Sequence, residues 1–137
     1  MTHARIGIKN DDGTITSIYC HSDGYVEFVG NKLYKNYTTK EQVMELIRGG
    51  NISTLGENYS KCSVYMRDWK GETWDINAPY ISKDMDSYIK DFKFYSWFYF
   101  FDNGKWYVFT YCKDYEFADK IWYEMNETFM NHIDVIV

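Results

Sequence analysis

Residues 94–112 read Phe-Tyr-Ser-Trp-Phe-Tyr-Phe-Phe-Asp-Asn-Gly-Lys-Trp-Tyr-Val-Phe-Thr-Tyr-Cys, two runs of aromatic and β-branched residues joined by Asn103-Gly104. Asn-Gly supplies the positive φ angles of a two-residue hairpin turn, so the stretch predicts a β-hairpin with arms Phe94 to Asp102 and Lys105 to Cys112. Its aromatic content places it at the centre of a sheet. A second hairpin is predicted near the start, where Arg5 to Lys9 and Thr14 to Cys20 flank Asn10-Asp11-Asp12-Gly13.

Between the two hairpins the period changes. Val26, Val29, Leu33 and Tyr37 are spaced by three and four, which predicts a helix with Asp23 at or near its N-cap. Thr39-Lys40-Glu41-Gln42 matches a capping box, and Val43, Leu46 and Ile47 give the following short helix its buried face before Gly49-Gly50 stop it. Cys62 to Asp68 and Glu72 to Ile76 flank Lys70-Gly71 and read as a third hairpin, with Trp69 and Trp74 as an exposed pair. Pro79, the only proline, bars a continuous central strand through Asn77 to Tyr80. Met85, Tyr88, Ile89 and Phe92 mark a short helix within Ser82 to Phe92. Phe117, Ala118, Ile121, Trp122, Met125 and Phe129 predict a C-terminal helix beginning near Asp114. The expected fold is α+β: one domain over 1–137, an antiparallel sheet with two short helices in the N-terminal half and a C-terminal helix packed on it.

Composition narrows the function classes. The chain has 137 residues, 45% hydrophobic and 20% aromatic, enough for one core without staples. Cys20, Cys62 and Cys112 are odd in number and form no CxxC pair, which fits neither a disulfide scaffold nor a zinc ribbon and points to a reducing cytoplasm. No apolar run approaches the roughly 20 residues of a membrane helix. The net charge of -5 disfavours direct DNA binding. His3, His21 and His132 are scattered, so no metal site is expected, and no cofactor motif is present.

The densest group of reactive residue types is Cys20-His21-Ser22-Asp23-Gly24-Tyr25, where a strand hands over to a helix. Such a junction exposes backbone N–H groups and suits an anion or a nucleophile, while strand alternation, helix capping and a glycine turn account for the same residues structurally. The 14 tyrosines and 5 tryptophans exceed what a core of this size holds, so some are expected on the surface as anchors for a protein partner, a nucleobase or a second copy of the chain. The candidate binding residues are His21, Asp23, Tyr25, Trp69 and Trp74, with no catalytic or metal-ligating residue assigned.

The stretch from Ser17 through Ile18-Tyr19-Cys20-His21-Ser22-Asp23-Gly24-Tyr25, then Val29-Gly30, Leu33, Tyr37, Val43, Leu46-Ile47, Gly50, Ile52 and Ser53-Thr54-Leu55-Gly56-Glu57, resembles a family of small proteins of tailed bacteriophages and prophages. The likeness covers roughly the first 57 residues; this chain has Ser22 where the family usually has Trp, and Val26 where it has Pro. The resemblance implies a viral accessory protein acting in the host bacterial cytoplasm. Proteins of that class commonly antagonise antiviral defence, in the anti-CRISPR or a related anti-defence manner, by binding a host defence protein or its nucleotide messenger. Two rivals are a structural or regulatory virion component and a small nucleotide-directed hydrolase using His21 and Asp23 as acid and base or Cys20 as nucleophile.

Overall fold

The computed structural model describes residues 2–118 and 122–136. Strand β1 (Ala4–Lys9) turns through Gly13 into antiparallel β2 (Ile15–Cys20), the hairpin expected from Asp12-Gly13. A π-helical turn (Val26–Gly30) then runs into α1 (Asn31–Asn36), and the predicted stripe Val26, Val29, Leu33 and Tyr37 is buried along its full length. Helix α2 (Lys40–Arg48) starts on the anticipated capping box, in which the Gln42 N–H donates to the Thr39 hydroxyl and the Thr39 N–H donates to the Gln42 side chain.

Strands β3 (Ile52–Thr54) and β4 (Ser63–Val64) follow, then α3 (Tyr65–Asp68), α4 (Trp74–Asn77), β5 (Tyr80–Ser82) and α5 (Met85–Asp91). The aromatic hairpin is β6 (Trp97–Asp102) and β7 (Lys105–Thr110), with Asn103 and Gly104 at φ 51° and 81° as its turn requires. Strand β8 (Tyr123–Glu124) and helix α6 (Glu127–Ile136) complete the chain.

The strands form one sheet in the order β4-β3-β2-β1-β6-β7-β8, with β5 also paired to β2. The α+β class is as expected, but the sheet is mixed rather than antiparallel. Strand β1 runs parallel to β6, Ala4 to Ile8 opposite Trp97 to Phe101, and Cys20 of β2 pairs in parallel with Ile52. Each hairpin is local and antiparallel; joining one to the other edge on fixes the parallel seam.

Side chains alternate between two cores. On one face Ile6, Ile18, Trp97, Tyr99 and Val108 pack against α1, α2 and α6, the last through Met130 and Ile133. On the other, Ile15, Phe98, Phe100 and Phe109 pack against Tyr88 of α5. Buried hydroxyls are tied to backbone: Tyr99 donates to the Gly24 carbonyl at 2.7 Å and Tyr88 to the Tyr99 carbonyl at 2.9 Å.

Two expected elements are corrected. The 62–76 hairpin is instead a pair of single-turn helices around Lys70-Gly71. The Asp68 carboxylate accepts from the Val64 N–H at 2.8 Å and closes α3, and the Asn77 side chain donates to the Thr73 carbonyl at 2.9 Å beside α4. The C-terminal helix begins at Glu127 rather than near Asp114, because Tyr123 and Glu124 pair with Val108 and Tyr107 and Met125 N–H donates to the Trp106 carbonyl. Phe117 and Ala118 are buried from a loop, and Ile121 lies outside the described residues. Among the described residues no helix is long and apolar enough to cross a membrane.

Candidate functional site

The hairpin register brings together residues that the sequence leaves far apart. Arg5 is the cross-strand partner of Tyr19, and two residues further toward the open end of the hairpin, past the Ala4–Cys20 pair, His3 comes beside His21 on the same face. His3 Nδ1 lies 2.9 Å from the backbone carbonyl oxygen of His21, which only accepts, so this nitrogen carries a proton. The Tyr19 hydroxyl is 3.1 Å from the same nitrogen and also meets His21 Nδ1. Its own proton is therefore left to donate to His21 Nδ1, and His21 is protonated on Nε2 in its neutral form. The imidazole rings lie 4.9 Å apart and within 31° of parallel. Both Nε2 atoms lack a protein partner among the described residues: on a neutral pair, His21 offers an N–H and His3 a lone pair.

Tyr19 is the hub. Burial pushes its phenol up to about 12, so the hydroxyl keeps its proton at neutral pH. Its ring meets Tyr95 edge to face at 5.6 Å, and Tyr65 is near enough to raise the phenol further. Its backbone N–H donates to the Asn51 side chain, whose amide in turn donates to the Ile76 carbonyl. The site is thus braced against α4.

Arg5, the cross-strand partner of Tyr19, is 4% exposed. Its guanidinium donates to the Ser17 hydroxyl and carbonyl at 2.8–3.1 Å and rests 3.8 Å over the Phe92 ring. Burial lowers its pKa from the usual value, nearby phenols offsetting part of the effect. No carboxylate pairs with it among the described residues, and its charge is met by the Ser17 oxygens and the Phe92 ring.

The other expected site residues are dispersed around this cluster. Asp23 is not a helix cap: at φ 56° it swings the chain out of β2, and the π-helical turn starts after Tyr25 with no side-chain cap. With Ser22, Lys32 and Lys61 it borders a separate cavity of about 300 Å³. No hydrogen bond joins it to His21, so the two form no acid–base dyad. Tyr25 is half-buried against Trp97 and Phe28. Trp69 packs on Tyr65 and donates to the Ser63 hydroxyl, while Trp74 lies against Gly50; the two-helix turn, not a hairpin, presents them.

No known protein family, curated protein or solved structure matches the chain. The chemistry of the site is therefore read from its own atoms. Cys20 is fully buried on β2, its thiol pushed up to about 12 by desolvation and turned to the Ser22 carbonyl, which removes it as a nucleophile at neutral pH. Cys62 is likewise buried, bonded by the Gly56 N–H and the Tyr37 hydroxyl, and only Cys112 of the three is partly exposed. Accordingly, Ellman's reagent at pH 8 is expected to modify one thiol quickly in the folded protein and all three in denaturant. Fast modification of Cys20, seen by peptide mapping, would contradict its burial.

His3 is the member of the cluster that the sequence does not single out, being one of three scattered histidines. The available signal was register: in a hairpin turning at Asn10 to Gly13, His3 and Arg5 fall opposite His21 and Tyr19.

Proposed function

We propose that this chain is a bacteriophage accessory protein that acts in the cytoplasm of the bacterial host and antagonises an antiviral defence system by docking on a host defence protein, without turning over a substrate. The viral setting rests on the resemblance of the first 57 residues. The observation that carries the docking role is the run of exposed large apolar side chains between positions 69 and 81. Trp69, Trp74 and Tyr80 are about half exposed, Ile76 is 75% exposed and Ile81 64% exposed.

Large apolar side chains kept in water within so short a stretch give up the burial that would stabilise the fold, and exposed side chains of this kind serve protein recognition. Two of them sit on β5, which pairs only with β2 and leaves its outer backbone edge open among the described residues. An open edge with apolar side chains suits addition of a partner strand. A net charge of -5 weighs against nucleic acid as the partner.

The test is phage plating on bacteria that express the chain together with one of a panel of defence systems, followed by native mass spectrometry of the purified chain. Restored plating against one system, and a stoichiometric protein of that system bound to the chain, are expected. Ile76→Lys combined with Ile81→Lys should abolish both while leaving the circular dichroism spectrum unchanged, since neither side chain is in a core. Failure to relieve any system, or a variant as effective as the parent, would refute the reading; a homo-oligomer lost in the variant would instead assign the surface to a second copy.

A further inference from the structure

The cavity of about 300 Å³ bordered by Asp23 is walled by three segments that the fold brings together: the turn after β2, the helical run through α1, and the loop 54–61. Two of its wall residues are lysines, in a chain of net charge -5. Lys32 Nζ donates to the Leu55 carbonyl at 2.9 Å, which draws the ammonium to the wall and leaves two of its N–H donors unused. Lys61 reaches the same wall because the loop closes tightly on Gly56, where any Cβ would run into the Lys61 backbone. Its ion pair with Glu57, at 4.0 Å between two side chains about two-thirds exposed, holds it only weakly. The Asp23 carboxylate and the Ser22 and Thr54 hydroxyls, also in this wall, have no hydrogen-bond or ion-pair partner among the described residues. Phe28 completes the lining with a ring that is 53% exposed.

We propose that this cavity binds a nucleoside monophosphate, with the phosphoryl group on Lys32 and Lys61, the ribose hydroxyls on Asp23 and the base against Phe28. Three chemistries in one small cavity match three parts of one small molecule. The second ionisation of a phosphate monoester lies near pH 6, so at neutral pH the group carries close to two negative charges for the two ammonium groups, and the Ser22 and Thr54 hydroxyls supply further donors to its oxygens. A carboxylate would repel a bare anion, but it accepts from the paired hydroxyls of a ribose, the partner that acidic side chains take in dinucleotide sites. An exposed aromatic face next to both gives the base a surface to stack on. The volume lies at the lower end of the range for small-molecule sites, which suits a mononucleotide rather than a dinucleotide. This site goes beyond the docking role and stands whether or not the apolar run at 69–81 engages a protein.

The experiment is calorimetric titration of the full chain at pH 7.5 with adenosine 5′-monophosphate, its 2′,3′-dideoxy form, adenosine, inorganic phosphate and phenylalanine, with saturation-transfer NMR on the base protons. The nucleotide is expected to bind most tightly and to show transfer to its base. Lys32→Met and Lys61→Met should each weaken it by about tenfold or more, as loss of a charge-assisted hydrogen bond does. Asp23→Asn, which tolerates the left-handed backbone at this position equally well, should erase the preference for the ribose over the dideoxy sugar. Phe28→Ala should abolish the base transfer while leaving inorganic phosphate binding unchanged. The proposal is overturned if millimolar nucleotide gives neither heat nor transfer, if the two methionine variants bind like the parent, or if phosphate or the zwitterionic amino acid binds as tightly as the nucleotide. The first of these readings needs no variant, so a misfolded one does not blunt the test. The Ile76→Lys, Ile81→Lys double variant should bind nucleotide like the parent, which separates this site from the docking role.

Discussion

Trp97→Ala is expected to remove about 3–5 kcal/mol of folding stability, the usual cost of emptying a fully buried aromatic site. Trp97 is wholly inaccessible at the start of β6. Its ring meets Tyr115 edge to face at 4.9 Å, lies nearly parallel to Tyr99, and touches Tyr25 and Phe117. It therefore joins three segments: the turn after β2, the loop 112–118 and the sheet itself. Tyr99 and Tyr115 are held by hydrogen bonds to the Gly24 carbonyl and the Glu27 carboxylate, so they are not free to close the space. Trp97→Phe is a revealing companion. The indole Nε1 is buried without a partner among the described residues, and phenylalanine removes that donor along with part of the ring. It should cost less than half as much as alanine. Urea unfolding followed by circular dichroism gives both values, and an alanine penalty below about 1 kcal/mol would mean that this packing does not hold the three segments together.

Gly50→Val should be nearly as damaging, for a different reason. Gly50 ends α2 at φ 81°, a conformation that costs an L-residue about 1–2 kcal/mol. A Cβ there would also run into the Asn77 carbonyl, which is immovable because it accepts from the Asn51 N–H at 2.9 Å, and would crowd the Trp74 ring. The combined penalty is expected to lower Tm by about 10 °C or more. Gly71→Ala provides the contrast: φ is 79° but open space surrounds the site, so only the backbone cost applies. Equal losses for the two variants would show that the Asn77 contact is not decisive. Since Asn51 also holds the Tyr19 backbone, the Gly50 change is expected to loosen the imidazole pair as well as α4.

Local chemistry made much of this fold legible. Asp12-Gly13 and Asn103-Gly104 located both long hairpins, and Thr39 with Gln42 located α2 to the residue, because each signal acts within four positions. The stripe from Val26 to Tyr37 was read correctly as buried although its first turn is π-helical, since the shift in backbone pairing leaves that face intact. The parallel seam between β1 and β6 was not legible. Nothing in Arg5 to Lys9 states which strand fills its second edge. Residues 65–77 misled because Lys70-Gly71 serves a two-helix turn as well as a hairpin, and the choice lies with the side-chain bonds of Asp68 and Asn77. Helical periodicity ahead of Glu127 was likewise outweighed by pairing of Tyr123 with β7. At the candidate site, His21 was found by its neighbours in sequence, whereas His3 and Arg5 needed the register.

The seam has a bearing on how the protein is made. β1 acquires its second neighbour only from residues 97–101, so on the ribosome the first hairpin emerges with one edge bare and waits through most of translation for the strand that covers it. During that interval Ala4 to Ile8 presents a short strand with one open edge. Refolding from denaturant should accordingly be slow for a chain of this size, while the early hairpin is the segment on which a holding chaperone, or another nascent copy, would first take hold.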